Sequence, residues 1–230
     1  MGKIKRLRLV GGPNGSGKST LIADLSNKVH LHNYYNADDL ERLLHEGISL
    51  GPLKYFDYEN ANSYLSQHFL SIYYKSFKFE SKQKWHGEIN SYLASALAEY
   101  LRYETLRQSD SLTFETVMSH HSKLKFFEDA KALGYRNYLY FITTQDPKIN
   151  VDRVRQRVQL GGHPVNEIKI VDRYWRSLEN LLPAILLSDR AYLFDNSGKQ
   201  YVLIAEVTRG SRLEIKGNFI PRWLDKYLLR

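Results

Sequence analysis

"RLRLVGGPNGSGKST", residues 6–20, is an apolar run that ends in a glycine-rich turn and leads straight into residues of helical spacing. Gly12, Gly17, Lys18 and Ser19 satisfy the pattern G-x-x-x-x-G-K-[ST], which chance places in about one chain in a hundred of this length. Glycine lets the backbone turn its N–H groups inward, and the amino end of a following helix favours anions. The lysine ammonium reaches outer phosphates, and the serine hydroxyl ligates magnesium. Gly12, Pro13, Asn14, Gly15, Ser16, Gly17, Lys18, Ser19 and Thr20 therefore read as a phosphate cradle between a strand, Lys3–Val10, and a helix, Lys18–Val29. A dinucleotide fold is the rival, because Asp38 follows at about the distance of a ribose-binding acid. Its G-x-G-x-x-G pattern fails, since Thr20 stands where the third glycine belongs.

Outward from the cradle, strands and helices alternate, which argues for an α/β fold with a largely parallel sheet. A second strand, Leu31–Tyr35, leads into "NADDLERLLHEG", where Asn36 or Asp38 caps a helix ending near Gly47. Later come a helix at Glu88–Arg107, a strand at Leu112–Glu115, a helix at Ser122–Leu133 and a strand at Asn137–Thr143. Helices follow near Pro147–Leu160 and Glu167–Leu187, then a strand in "AYLFDNSG". The end reads as a β-hairpin through Arg209 and Gly210 with a short helix from Pro221. Between residues 51 and 87, aromatics such as Tyr55, Phe56, Tyr74, Phe77, Phe79 and Trp85 alternate with lysines. This is the expected insertion in an otherwise single domain spanning 1–230.

The bulk numbers set limits. With 230 residues, 43% apolar and 25% charged, the chain can bury a substantial core. Cysteine is absent, which excludes disulfides, thiolate zinc sites and cysteine nucleophiles and makes the cytoplasm the expected compartment. The apolar stretch near the start is too short for a signal-peptide core, and no run reaches membrane-spanning length. A net charge of +8 attracts polyanions, nucleotides and nucleic acids alike.

Phosphoryl transfer needs a carboxylate near the acceptor, a magnesium partner and cations that close over the phosphates. Asp38, at the end of the second strand, is placed to accept a proton from an acceptor hydroxyl; a plain helix cap is its other reading. Glu115, with Thr116, sits at a strand end where it either orients magnesium or holds the acceptor; a solvated strand-end acid is the plainer reading. Arg153 and Arg157, four apart on one helical face, suit phosphate oxygens, and Gly161-Gly162 supplies a hinge before His163. Arginines so spaced also form ordinary solvated faces. Arg173 is a weaker candidate, Asn196 and Asp195 lie at a strand end suited to an adenine contact, and the adjacent His120 and His121 lack a third metal ligand.

The combination "GPNGSGKST", "NADDL", "TFETVMS" and "RVRQRVQLGGHPV…RYWRSLENLL…YLFDNS" resembles the zeta-toxin-like family of P-loop kinases and predicted ATPases, from about residue 7 to 198 except across the aromatic insertion. The resemblance implies a bacterial kinase-like core with ATP and Mg2+ as cofactors. The toxins proper phosphorylate UDP-N-acetylglucosamine and are held inactive by a small helical antitoxin. By the same resemblance Lys18 and Ser19 hold triphosphate and magnesium, Asp38 is the general base, and Glu115 and Thr116 contact substrate. Arg153 or Arg157 matches the first lid arginine. Where the toxins carry a second, this chain has Gly161-Gly162-His163, so His163 stands in for it, and "FETV" departs from their glycine-containing acid motif.

The expectation is thus a magnesium- and ATP-dependent phosphotransferase acting on a hydroxyl of a small anionic metabolite, a nucleotide sugar included, with an antitoxin as candidate protein partner and no membrane partner. Two alternatives stay open: a nucleic-acid-associated P-loop ATPase stacking bases on the aromatics of 51–87, the less expected because dense aromatics usually form core, and a non-catalytic module whose nucleotide occupancy is read by a protein partner.

Overall fold

The computed structural model describes residues 4–162 and 164–229. In chain order the elements are β1 (Arg6–Gly11), α1 (Lys18–Ser26), β2 (Asn33–Tyr35), α2 (Ala37–His45), α3 (Tyr58–Gln67), β3 (Lys78–Phe79), β4 (Trp85–His86), α4 (Ser91–Arg107) and β5 (Leu112–Thr116). There follow α5 (Ser122–Ala132), β6 (Arg136–Thr143), α6 (Pro147–Gln159), α7 (Glu167–Glu179), α8 (Leu181–Leu186), β7 (Arg190–Asp195), β8 (Val202–Thr208), β9 (Arg212–Ile215) and α9 (Arg222–Leu224). They form two compact units, one from Met1–Leu31 with Glu115–Arg230, the other from His32–Phe114.

In the first unit β1 pairs in parallel with β6 and β6 with β7, after which β8 and β9 continue antiparallel. Parallel strands covered on both faces are apolar nearly throughout. Leu7, Leu9, Val10, Leu139, Phe141 and Ile142 are accordingly all at most 1% exposed. The β8–β9 connection passes through Arg209 and Gly210, both at positive φ (53° and 70°), the geometry whose twist matches a tight hairpin. The helix expected over 167–187 divides at Asn180. Pro183 has no N–H to offer the Glu179 carbonyl and its ring crowds that oxygen, so α7 stops there and Pro183 falls in the first turn of α8. β1 begins at Arg6; Lys3, where it was expected to start, lies outside the described residues.

In the second unit β2 pairs in parallel with β5, Tyr35 opposite Phe114. β2 starts at Asn33 rather than Leu31 because His32 takes a left-handed φ of 59°, which ends extended backbone. Each longer helix has a side-chain cap: Asn36 for α2, Asp57 for α3 and Asn90 for α4. Phe79, 1% exposed, meets Phe56, Phe77 and Trp85 edge-on at centroid distances of 5.2, 4.9 and 6.0 Å. The rings of Phe56, Tyr74, Phe77 and Phe79 are core and are not presented for stacking on bases, whereas Phe69 and Tyr73 are exposed. Asp110 ties the unit's loops together, accepting from Lys54 Nζ (2.6 Å), the Tyr55 hydroxyl (2.9 Å) and Asn33 Nδ2 (3.1 Å). The Lys54 hydrogen bond, helped by those of Asn33 and Tyr55, holds its carboxyl well below the usual carboxylate range. Among the described residues no helix is long and apolar enough to cross a membrane.

Candidate functional site

β1 runs out at Gly11, the chain turns through Gly12–Gly17, and α1 starts at Lys18. Two glycines are dictated by geometry. Gly12 has φ 151° and a Cβ there would stand 2.0 Å from the Ile142 carbonyl oxygen; Gly17 has φ 98° and its Cβ would meet Asn196 Nδ2 at 2.3 Å. The N–H groups of the first turn of α1 lack intrahelical partners, as in any helix, no N-cap side chain takes them, and they face the loop side with the positive end of the helix dipole. Inside the turn the Pro13 carbonyl accepts from Ser16 N–H (3.3 Å) and from Lys18 Nζ (3.0 Å). Lys18 is buried, and its ammonium lies 3.8 Å from Glu115 Oε1. Ser19 and Thr20 are exposed at the start of α1.

Side chains from distant parts of the unit hold this loop by its backbone. Asn196, just after β7, donates to the Ser16 carbonyl at 2.8 Å, and Asn150 of α6 donates to the Asn14 carbonyl at 2.6 Å. Arg173 of α7 reaches the Asn14 side-chain oxygen at 3.4 Å. The turn after β5 is braced similarly: Met118, at φ 59°, gives its N–H to the Thr116 hydroxyl and its carbonyl receives Asn180 Nδ2 at 2.9 Å.

The structure therefore brings Glu115 and Thr116 to the cradle. The Thr116 carbonyl accepts from Gly12 N–H at 3.3 Å and its hydroxyl caps Met118, which leaves the hydroxyl proton as its free donor. Arg153 donates from Nη2 to the Gly198 carbonyl at 3.2 Å, while its Nη1 is buried with no hydrogen-bond partner among the described residues. Arg157 is exposed one turn further on. Arg155 pairs with Glu167 at 2.7 Å and Asp152 at 3.3 Å. Gly161, at φ 89°, closes α6, with Gly162 N–H donating to the Arg157 carbonyl, so these glycines act as a helix terminator. His163 lies outside the described residues. Asp195 is no ligand: it is 3% exposed and accepts from Trp223 Nε1 (2.8 Å) and Ser197 N–H (2.9 Å). His120 is occupied with Ser122, and among the described residues no cluster of three metal-ligating side chains exists.

Asp38 belongs to the second unit. There Asn36 Oδ1 accepts from its N–H at 2.9 Å, so Asn36 is the cap and Asp38 lies exposed in the first turn of α2, where the helix dipole favours its charge.

The residues of the loop fit a phosphate-bearing ligand. Ser16 Oγ, fully buried, has no hydrogen-bond partner among the described residues, and a buried hydroxyl or guanidinium N–H left unpaired is unfavourable by about 1–3 kcal/mol. Phosphate oxygens are the acceptors that Ser16 Oγ, Arg153 Nη1 and the open end of α1 lack.

No family model matches the chain, and no curated protein does. Solved structures do. The complex AvrRxo1-ORF1:AvrRxo1-ORF2 with sulphate ions matches with a TM-score of 0.58 at 16% identity over 94% of this chain, and the same complex with ATP with 0.56 at 16% over 94%. The PezAT chromosomal toxin–antitoxin system of Streptococcus pneumoniae matches with 0.57 at 14% identity, over 99% of this chain and 80% of that one. The fold is that of the zeta-toxin-like P-loop kinases. The chain spans 62% of the length of the AvrRxo1-ORF1:AvrRxo1-ORF2 chain it matches with sulphate, and 61% with ATP.

Within this zeta-toxin-like fold, Asn150, Asn180 and Asn196 do work that the sequence did not announce for the first two and announced differently for the third. Asn196, expected at the adenine, donates to the Ser16 carbonyl. Its one readable signal was position, since a strand end beside β6 faces the loop in a parallel sheet.

Proposed function

We propose that this chain is an ATP- and Mg2+-dependent phosphotransferase that phosphorylates a hydroxyl of a small anionic metabolite, with a nucleotide sugar such as UDP-N-acetylglucosamine the first candidate. The observation that carries the reading is the open amino end of α1 with buried Lys18 at its start and the unpaired Ser16 hydroxyl beside it. A similar protein crystallised with ATP supports the nucleotide, and the fold supports the kinase class.

Bound ATP with its Mg2+ supplies the transferable phosphoryl group and much of the charge neutralisation. Lys18 exchanges the Pro13 carbonyl for phosphate oxygens, a shift of partner that needs little movement because the ammonium already stands at the loop. Ser19 would hold the magnesium, with Glu115 orienting it. Asn14, Gly15 and Gly17–Thr20 would present backbone N–H groups, and Arg153 would add its unpaired Nη1, which neutralises charge. Arg153 is preferred to Arg157 because its Nη1 is buried and unpaired. Asp38, exposed, takes the proton of the acceptor hydroxyl; this assignment follows its place after β2 in the sequence pattern. Thr116 offers its hydroxyl proton to the acceptor, and His163 serves as a further acceptor contact.

The same likeness makes an inhibitory protein partner part of the proposal, since the similar chains come from a two-component complex and a toxin–antitoxin system. Incubation with labelled ATP and a metabolite extract tests the chemistry: wild type labels a defined metabolite, whereas Lys18→Ala labels none. Labelling by Lys18→Ala equal to wild type overturns it. Growth arrest on expression, absent with Lys18→Ala, tests the toxin role.

A further inference from the structure

The loop's apex, Asn14–Gly15, is held from outside. Asn150 is fully buried and both ends of its side-chain amide are engaged: Nδ2 donates to the Asn14 carbonyl at 2.6 Å and Oδ1 accepts from the Thr144 hydroxyl at 2.5 Å. Its backbone abuts the next residue, since a Cβ on Gly15 would stand 2.6 Å from the Asn150 carbonyl oxygen. Thr144 is fixed in turn by the Tyr174 hydroxyl, which donates to its carbonyl at 2.6 Å. A continuous polar path thus runs from α7 through Thr144 and Asn150 to the apex, and a buried amide engaged at both ends admits little rotation.

Asn150, Arg153 and Arg157 stand at i, i+3 and i+7 on α6, the spacing that puts them on one face over two turns. The face of the helix that grips the loop is therefore the face that carries both candidate arginines. We propose that Asn150 is a positioning residue that sets the rotation of α6 against the phosphate loop and thereby presents Arg153 to the bound phosphates. The inference rests on the phosphotransferase reading, because Arg153 has a task only when the loop holds phosphate. Without Asn150 the Asn14 carbonyl loses this donor and the Thr144 hydroxyl is left with the Asp146 carbonyl at 3.1 Å, the apex and α6 separate, and Arg153 loses its aim.

The test uses the full chain, Mg2+ and a non-hydrolysable ATP analogue, with affinity read by calorimetry and amide hydrogen exchange read across α6. In wild type the analogue slows exchange both in the loop and over residues 150–157. Asn150→Ala keeps protection in the loop, loses it in α6, and weakens the analogue about tenfold, as does Arg153→Ala; the double variant is within about twofold of Arg153→Ala alone. A merely structural role would weaken protection everywhere and add to the Arg153→Ala effect. Thr144→Val, which leaves Asn150 in place but removes the hydroxyl that orients it, moves both readouts the same way by a smaller factor and decides the matter if Asn150→Ala does not fold. Additive losses, or equal α6 protection in wild type and variants, overturn the inference while leaving the phosphotransferase reading in place. A wild type that does not bind the analogue removes both.

Discussion

The phosphate loop and the ring cluster around Phe79, one in each unit, rest on different chemistry. In the unit of the phosphate loop, asparagine side chains are fastened to backbone carbonyls: Asn196 to Ser16, Asn150 to Asn14, Asn180 to Met118, and Asn137 to Phe127 at 2.8 Å. In the His32–Phe114 unit Asn62 and Asn90 also reach carbonyls, of Phe79 (2.8 Å) and Tyr73 (2.9 Å), but the core around them is rings packed against rings, with Phe79 at the centre and Tyr64 against Tyr100 at 5.7 Å. Apolar packing is non-directional and tolerates small displacements, whereas a hydrogen bond to a carbonyl fixes that carbonyl's direction. A loop that must aim N–H groups at one point needs the second kind of support; a cluster of rings that must only hold its shape rests mainly on the first.

That contrast can be broken or sharpened by substitution. The largest expected effect is chemical: Asp38→Asn, on an exposed helix turn, lowers phosphoryl transfer by about 10²–10⁴-fold and leaves the melting temperature unchanged. Loss of stability would mean that Asp38 belongs to the packing of its unit. Phe79→Ala removes a fully packed ring and lowers stability by about 3–5 kcal/mol, measured by denaturant unfolding; a loss under about 1 kcal/mol would show that the aromatic cluster is not what holds that unit.

Asn196→Ala should do the reverse, weakening ATP by a factor corresponding to about 1–3 kcal/mol with a small change in melting temperature. A large drop in melting temperature with unchanged ATP affinity would make the asparagines ordinary structural residues and erase the contrast. The smallest effect concerns Asp110. Its folded pKa is depressed, chiefly by Lys54, so the stability it contributes is present above the unfolded carboxylate value near about 4 and is lost as pH falls through that value toward the lowered one. Asp110→Asn is therefore less stable than wild type at neutral pH, and the difference in melting temperature shrinks below about pH 4. A constant difference across that range would show that the carboxylate's charge is not involved.

The contrast also explains what the sequence disclosed. Gly12, Gly17, Lys18 and Ser19 were legible because the loop's demands fall on adjacent residues, and the alternation of strands and helices was legible because each strand of a parallel sheet is apolar nearly throughout. Asn150 was not, because its partner lies 136 residues away and a polar residue in a helix like α6 reads as solvent-facing. The break of α7 from α8 was written in Pro183 but masked by the apolar run Leu181–Leu187, whose helical spacing continues across it. In residues 51–87 the density of rings pointed to core, while the interleaved lysines left a surface reading open, since lysine stems cover apolar groups while their ammonium groups stay in water; only burial separates Phe79 from Phe69.

Calorimetric titration of MgATP into wild type and Lys18→Ala tests most directly whether Gly12–Thr20 is a triphosphate cradle. The account predicts one saturable site in wild type, abolished by the substitution with the melting temperature of the free protein retained. No binding by wild type, or equal affinity in both proteins, would contradict it.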